Sequence, residues 1–191
     1  MHGRCGVLHR PSFAWKVDLQ RASILLLTPD EILTTRPAFD MTPPTTDAYT
    51  LHRGRSPLLI SLPHVGTVIP ADQQHCYTPR ALETEDTDWF LDRVYDFAAP
   101  LGATLIVPRY SRYLVDLNRS SDNAPMYPGQ NNTELCPTRH FTGEPLYRDG
   151  LAPDAAEIGR RVARYWQPYH DALRDELALL RSTHEIGRAH V

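Results

Sequence analysis

Residues 57–66 read PLLISLPHVG, an apolar run that ends in Pro-His-x-Gly. A continuous apolar run of this length is typical of a β-strand that is buried on both faces. Proline fixes the backbone before His64 and glycine permits a sharp turn after it, at the point where the strand should end. Enzymes with α/β sheets place metal ligands and catalytic groups at such strand ends, but an ordinary turn also accommodates a histidine. The rest of the chain must therefore supply partners for His64.

The composition is that of one ordinary globular domain. The chain has 191 residues, of which 41% are apolar and 23% are charged. A net charge of −3 gives no electrostatic reason to expect binding to nucleic acid or to an anionic membrane. The longest apolar run, ASILLLT at 22–28, is too short to span a bilayer. Three cysteines without a C-x-x-C spacing suit a reducing compartment, and we expect a cytoplasmic protein.

Strands and helices alternate along the chain. Besides the run at 57–63, the pattern predicts strands at 49–54, 103–108 and 112–117, and helices at 77–102 and 153–183, the second dented or broken at Pro168. A loop rich in Pro, Gly and Asn occupies 120–150, and loops of this length are usually functional. The alternation predicts an α/β fold with a central, mostly parallel or mixed sheet and helices on both faces.

Three groups of polar residues fall at the ends of these predicted elements. They are His64, the acids Glu85, Asp86 and Asp88, and the segment Asp116, Asn118 and Arg119. Ligands of open α/β sheets bind outside the carboxyl ends of the strands, so we expect these groups on one rim. A histidine and a carboxylate suit zinc or a similar divalent ion. An arginine beside an asparagine can bind a substrate carboxylate through charge-assisted hydrogen bonds.

Each group also has an ordinary structural interpretation. His64 could be a turn residue, the acids could complement a helix N-terminus, and the third segment could be closed by an Asp–Arg pair. Phosphate-binding glycine motifs and the G-x-S-x-G serine-hydrolase motif are absent from the sequence. The case for function therefore depends on the coincidence of all three groups in one short domain.

Four segments, SLPHVGTVIP, EDTDWFLDRVYDFAAPLGATLI, RYSRYLVDLNR and YWQPYHDALRDELALLR, together resemble the N-formylglutamate amidohydrolase (N-formylglutamate deformylase) family. The resemblance runs in unbroken order from about Tyr49 to His184. It implies hydrolysis of N-formyl-L-glutamate to L-glutamate and formate, a step of histidine degradation. It also implies a fold similar to the zinc carboxypeptidases and aspartoacylase, with a divalent metal, zinc or another ion such as cobalt, held by a histidine, an acid and a second histidine.

The same resemblance assigns roles to individual residues. His64 matches the first metal ligand. Asp88 best matches the acidic ligand, because its spacing to Asp92 is the same as in the family pattern. Asp86 is the alternative. Asn118 and Arg119 match a pair that binds the substrate α-carboxylate, and Arg112 is a second candidate for a carboxylate of glutamate. Phe90 stands where many family members have histidine, and no role is transferred to it.

The two ends of the chain depart from the family pattern. We expect residues 1–40 to be a non-native or disordered extension before Met41, with an amphipathic arm as the alternative. Residues 41–184 form a partial domain that lacks the usual DAHS segment, so the second histidine and the general base would lie in a missing C-terminal part. EIGRAHV, at 185–191, is compatible with a back-translated sequencing adapter, and His190 is therefore not adopted as a ligand.

These departures leave alternatives to an active deformylase. The chain is expected to be an inactive fragment of the enzyme. The alternatives are a non-catalytic binder of acidic amino-acid metabolites on the same scaffold and an amidase for a related N-acyl amino acid.

Overall fold

A computed structural model describes residues 47–125 and 132–184, together with the backbone of residues 23–25. Four short strands form one sheet: β1 (Ser23–Leu25), β2 (Tyr49–His52), β3 (Leu59–Ser61) and β4 (Thr104–Pro108). Their order across the sheet is β1-β3-β4-β2. Only β3 and β4 pair in parallel, whereas β1 with β3 and β2 with β4 are antiparallel. Among the described strands the sheet is therefore mixed, which is the second of the two arrangements that the sequence predicted.

Apolar side chains cover both faces of this sheet. Leu105 and Ile106 are neighbours on β4, and they point to opposite faces because side chains alternate along a strand. Ile106 belongs to a core cluster that includes Tyr169 and Ala172 from the C-terminal helix. Leu105 packs with the short helical segments that precede β4, including Leu91. The predicted arrangement of helices on both faces is confirmed.

The helix predicted over 77–102 is interrupted, so that prediction was wrong. The structure has α1 (Pro79–Leu82) and α2 (Leu91–Val94), with short 3-10 turns at Gln74–Cys76 and Asp96–Ala98. Thr84 (φ 51°) and Phe90 (φ 62°) adopt left-handed backbone conformations, which an α-helix cannot contain. The break keeps the intervening segment irregular and lets it approach the end of β3.

Large apolar side chains stay exposed on and around α2. Between residues 89 and 101 they form an apolar surface cluster consisting of Trp89, Phe90, Val94, Phe97 and Leu101, each between 51% and 62% exposed. Exposed apolar side chains that form a contiguous patch usually mark a surface that contacts another molecule.

The predicted C-terminal helical region is confirmed. It consists of α3 (Ala155–Arg161), a π-helical segment (Val162–Trp166) and α4 (Gln167–Thr183). The carboxylate of Asp154 caps α3 by accepting the backbone N–H of Glu157 at 2.7 Å. The π segment ends just before Pro168, where the sequence predicted a dent, and a proline has no N–H for the helical ladder.

The strand predicted over 112–117 was also wrong. This segment forms consecutive turns whose side chains are buried, and its side chains bond to one another as described below. The predicted loop of 120–150 lacks helices and strands in its described parts, and residues 126–131 lie outside the described residues.

The expected domain limits fall mostly outside the described residues. Of residues 1–40, only the backbone of β1 is described, and all of 185–191 lies outside. None of the helices in the described part of the chain has the length and apolar character needed to cross a membrane.

Candidate functional site

His64 lies on the loop that leaves β3, and only 2% of the residue is exposed. Two residues later the chain passes very close to the segment after β4: a Cβ on Gly66 would lie 2.2 Å from the carbonyl oxygen of Tyr110. No side chain can be tolerated at that distance, so glycine is required for the approach. The Pro-His-x-Gly motif therefore ends β3 and allows the loop that carries His64 to pack closely against the segment that follows β4.

The imidazole of His64 is held by a buried carboxylate. Nε2 of His64 and Oδ1 of Asp116 are 2.8 Å apart, and Asp116 is fully buried. Burial alone would raise the pKa of the Asp116 carboxyl, but hydrogen bonding to His64 and the charge of Arg112 outweigh it and hold that pKa well below its usual range. Because an ionised carboxylate only accepts hydrogen bonds, Nε2 of His64 carries the proton and donates it.

Asp116 also bonds to two neighbours in its own turn segment. Its Oδ2 accepts a hydrogen bond from the guanidinium of Arg112 at 2.7 Å, and its Oδ1 accepts the backbone N–H of Asn118 at 2.9 Å. The segment predicted as a strand is therefore folded around this carboxylate. The sequence offered an Asp–Arg pair as the ordinary interpretation of the segment, but gave no role to Asp116 as the partner of His64.

The other ring nitrogen of His64 faces Asp88. Nδ1 of His64 and Oδ2 of Asp88 are 3.7 Å apart, and neither atom has a hydrogen-bond partner among the described residues although both are buried. Burial would lower the pKa of His64, but its hydrogen bond to Asp116 and the nearby carboxylate of Asp88 outweigh this, and the pKa is raised. The backbone N–H of Asp88 donates to the carbonyl oxygen of His64 at 3.0 Å, which fixes the two residues beside each other.

This pair fits a divalent metal ion. Two ligand atoms that each lie about 2.1 Å from one tetrahedral ion are roughly 3.4 Å apart, close to the separation observed between Nδ1 and Oδ2. A histidine that ligates a metal usually donates its other N–H to a carboxylate, as His64 does to Asp116. Within 47–125 and 132–184, however, no group of three or more His, Cys, Asp or Glu side chains is placed to hold an ion.

The alternative acid, Asp86, is engaged elsewhere. Its Oδ2 accepts the backbone N–H of Phe141 at 3.0 Å and lies 4.0 Å from Nδ1 of His140. Asp88 lines the same cavity as His64, whereas Asp86 does not. The geometry thus places Asp88, rather than Asp86, beside His64.

A cavity of about 550 Å³ opens beside His64 and Asp88. Its lining includes all of the residues that the sequence proposed for substrate binding, namely Arg112, Asn118 and Arg119, and it adds Arg139 and His140 from the long loop. Three arginines on one cavity favour an anionic ligand. The volume is within the range of small-molecule sites.

Arg119 is fixed in this lining by Thr133. Its Nε donates to the carbonyl oxygen of Thr133 at 2.9 Å, and its Nη2 donates to the hydroxyl at 2.6 Å. The indole N–H of Trp166 donates to the carbonyl oxygen of Arg119 at 2.8 Å, which ties the backbone to the C-terminal helical region. These contacts orient the guanidinium before any ligand arrives.

His140 was not recognised from the sequence. It lies in the part of the long loop that the structure describes over 132–150. It is 4% exposed, and it lines the cavity. A single histidine in a long loop carries no periodic or motif signal, so only the folded chain reveals its position.

Comparison with known proteins relates this site to one family. A profile of the N-formylglutamate amidohydrolase family matches residues 56–188, which include every cavity residue named above. The chain belongs to this family. It is 47% identical over 137 residues to an N-formylglutamate deformylase of Pseudomonas aeruginosa (strain PAO1), covering 72% of this chain and 50% of the relative. It is 45% identical over 130 residues to that of Pseudomonas putida, covering 68% of this chain and 48% of the relative.

A solved N-formylglutamate amidohydrolase from Ralstonia eutropha JMP134 has a related structure. The two superpose with a TM-score of 0.58 at 26% identity, over 72% of this chain and 54% of the other. The resemblance seen in the sequence is therefore confirmed at the level of the family. The chain spans about half the length of the curated relatives that it matches.

Proposed function

We propose that this chain carries the substrate cavity and two metal ligands of an enzyme that hydrolyses N-formyl-L-glutamate to L-glutamate and formate. The observation that carries the proposal is a pair of buried atoms, Nδ1 of His64 and Oδ2 of Asp88, beside a cavity lined by three arginines. Neither atom has a hydrogen-bond partner in the described part of the chain. The curated relatives named N-formylglutamate deformylase support this choice of substrate.

His64 and Asp88 would hold the ion, and zinc or another divalent ion such as cobalt suits a nitrogen and a carboxylate oxygen. A divalent ion bound there would acidify a water molecule and polarise the formyl carbonyl. Asp116 keeps the proton of His64 on Nε2, so Nδ1 presents a lone pair toward Asp88. The described residues thereby hold Nδ1 of His64 and Oδ2 of Asp88 close together.

The cavity would bind the substrate through its two carboxylates. Arg119 and Asn118 supply donors on one part of the lining, and Arg112 supplies a second cation. Because the guanidinium groups of Arg112 and Arg119 are fixed by Asp116 and Thr133, little side-chain entropy is lost when a di-acid binds. Binding at two points would place the formyl carbon in one orientation.

We further propose that the complete fold is that of the zinc carboxypeptidases and aspartoacylase. The described mixed sheet, with β3 and β4 parallel and the ligand histidine just after β3, is compatible with that architecture. The second histidine ligand and the general base are expected in a further part of such a fold.

Catalytic zinc sites usually have three protein ligands, and the described residues provide two. We therefore expect the 191-residue chain to bind the ion weakly and to release formate slowly or not at all. The same observation favours the second candidate function, a binder of acidic amino-acid metabolites that uses the arginine-lined cavity without a metal.

A chimera separates the two functions. The matching 137 residues of this chain would replace those of the Pseudomonas aeruginosa relative, and formate release from N-formylglutamate would be measured with and without zinc. Activity that depends on zinc and is abolished by His64→Ala supports the deformylase. Tight binding of N-formylglutamate without formate release, and without any effect of zinc, would support the binder instead.

A further inference from the structure

Two side chains of the C-terminal helical region bond to the backbone on either side of Asn118. The indole N–H of Trp166 donates to the carbonyl oxygen of Arg119 at 2.8 Å, and Nε2 of His170 lies 2.9 Å from the carbonyl oxygen of Leu117. A carbonyl oxygen only accepts hydrogen bonds, so Nε2 of His170 carries a proton and donates it. The two donor residues are four apart in the chain, which places them on one face of the helix.

The two rings also orient each other. The indole of Trp166 and the imidazole of His170 are stacked, with their centroids 3.8 Å apart and their planes at 25°. Burial lowers the pKa of His170, so its ring is neutral at neutral pH and its one proton is the proton on Nε2. Because each ring limits the rotation of the other, both N–H groups are directed at their carbonyl partners before any ligand binds.

The backbone of residues 117–119 is held from two directions. Asp116 accepts the N–H of Asn118 through Oδ1 at 2.9 Å and the N–H of Arg119 through its own carbonyl oxygen at 3.1 Å. The carbonyl groups of Leu117 and Arg119 bond to the two rings of the helix instead. Asn118 and Arg119 line the cavity, whereas neither ring does, so the rings can affect a ligand only through this segment.

We infer that Trp166 and His170 are positioning residues, which hold Asn118 and Arg119 in the geometry that binds one carboxylate of the di-acid substrate. The inference rests on the proposed function, because it takes N-formylglutamate as the ligand. A planar guanidinium binds a carboxylate well only from a narrow range of positions, so a small displacement of the Arg119 backbone reduces affinity. Loss of either ring donor should therefore weaken binding although no group that touches the ligand is removed.

Binding to the 191-residue chain tests this inference without requiring turnover. Trp166→Phe and His170→Phe each retain a ring that can stack but lose the N–H donor. Each should weaken binding of N-formylglutamate about 3- to 10-fold, as measured by NMR titration. His170→Gln restores a side-chain N–H donor and should recover most of the affinity.

Two analogues that each lack one carboxylate, N-formylnorvaline and 4-formamidobutanoate, show whether the rings act through Arg119. Arg119→Lys should weaken binding of the analogue that retains the carboxylate bound by Arg119 and should hardly affect the other analogue. Trp166→Phe and His170→Phe should follow the same pattern, with the same analogue sensitive and the same analogue insensitive. A general loss of structure would weaken both analogues.

Tyr169→Phe is the control that separates positioning from stability. Tyr169 precedes His170 on the same helix, but its hydroxyl bonds to that of Ser61 on β3 at 2.7 Å. Removal of this hydroxyl should lower the melting temperature and leave the affinity for all three ligands unchanged. Thermal melts of every variant provide the comparison. In the unaltered chain, ¹⁵N spectra of the His170 ring should show the proton on Nε2.

The outcomes distinguish this inference from the proposed function. If the unaltered chain binds N-formylglutamate but Trp166→Phe and His170→Phe bind it equally well, or lose affinity equally for both analogues, the inference is overturned and the proposed function stands. A neutral His170 ring with its proton on Nδ1 would also overturn the inference. If the unaltered chain binds none of the three ligands, the proposed function fails together with the inference.

Discussion

Nε2 of His64 donates a hydrogen bond to Oδ1 of Asp116 across 2.8 Å, and both side chains are buried. This bond sets the tautomer of the histidine and leaves Nδ1 directed toward Asp88. Asp116 in turn bonds to Arg112 and to the backbone of Asn118, so the candidate metal ligand and the candidate substrate-binding residues share one carboxylate. Changes at Asp116 should therefore affect metal binding, stability and the cavity together.

Asp116→Asn should weaken zinc binding roughly 10- to 100-fold, because a neutral amide raises the basicity of His64 less than a carboxylate does. Isothermal titration of the 191-residue chain with zinc measures the affinity. Asp122→Asn is the matched control, since Asp122 is exposed and its carboxylate accepts hydrogen bonds from Ser120 and Ala124 in its own turn. Equal zinc affinity in Asp116→Asn and the unaltered chain would contradict the role given to Asp116.

Asp88→Asn should reduce cobalt binding strongly, whereas Asp86→Asn should leave it nearly unchanged. The reason is that Oδ2 of Asp88 faces Nδ1 of His64, while Oδ2 of Asp86 accepts the N–H of Phe141. The visible absorption of bound cobalt provides the measurement. The reverse order of effects would transfer the acidic ligand to Asp86.

The depressed pKa of Asp116 predicts a loss of stability in acid. A carboxyl whose pKa is lower in the folded chain stabilises it above the ordinary value of 3.8, and this contribution disappears as the pH falls through the lower folded value. Urea unfolding of the metal-free chain at several pH values should show a steeper fall below about pH 4 than that of Asp116→Asn. Parallel curves for the two proteins would mean that Asp116 does not contribute.

Arg119→Lys should weaken binding of N-formylglutamate severely and leave the zinc affinity unchanged. A lysine ammonium cannot reproduce the planar guanidinium, two nitrogens of which are fixed by Thr133. Ligand titration and zinc titration on the same sample measure both quantities. Arg174→Lys, at an exposed ion pair on α4, is the matched control. Unaltered ligand affinity in Arg119→Lys would remove Arg119 from the site.

The apolar surface cluster around α2 predicts self-association. The double variant Val94→Ser with Phe97→Ser replaces two exposed members of the cluster. It should remain monomeric up to a higher protein concentration than the unaltered chain, because less apolar area is available for contact. Analytical ultracentrifugation over a concentration series measures this. Leu151→Ser changes an exposed leucine outside the cluster and should have little effect.

The sequence predicted those elements whose signals are local. Strands β2 and β4 and the long C-terminal helical region followed from apolar pattern and from proline and glycine at their ends. His64 and Asp88 were proposed from a family resemblance, and the structure places them side by side. Their roles as metal ligands remain predictions, as do those of Arg112, Asn118 and Arg119 in binding substrate.

The predictions that were wrong concern segments whose structure depends on contacts with distant parts of the chain. The helix predicted over 77–102 is interrupted at Thr84 and Phe90. Their left-handed backbones are uncommon for residues other than glycine, so the residue types do not predict them. The strand predicted over 112–117 has a suitable apolar pattern, but Asp116 within it forms buried hydrogen bonds that override that pattern. His140 becomes visible only when the loop brings it to the cavity.

The π-helical segment Val162–Trp166 determines the directions in which the side chains of α4 point. An α-helix advances about 100° per residue, and a π turn accommodates one extra residue. With that residue present, the hydroxyl of Tyr169 meets that of Ser61 at 2.7 Å, and Nε2 of His170 meets the carbonyl oxygen of Leu117 at 2.9 Å. Deleting one residue from the segment would turn α4 by about 100° and direct both side chains away from these partners. The number of residues in the segment, more than their identity, therefore couples the helix to the sheet and to the turn that carries Asp116.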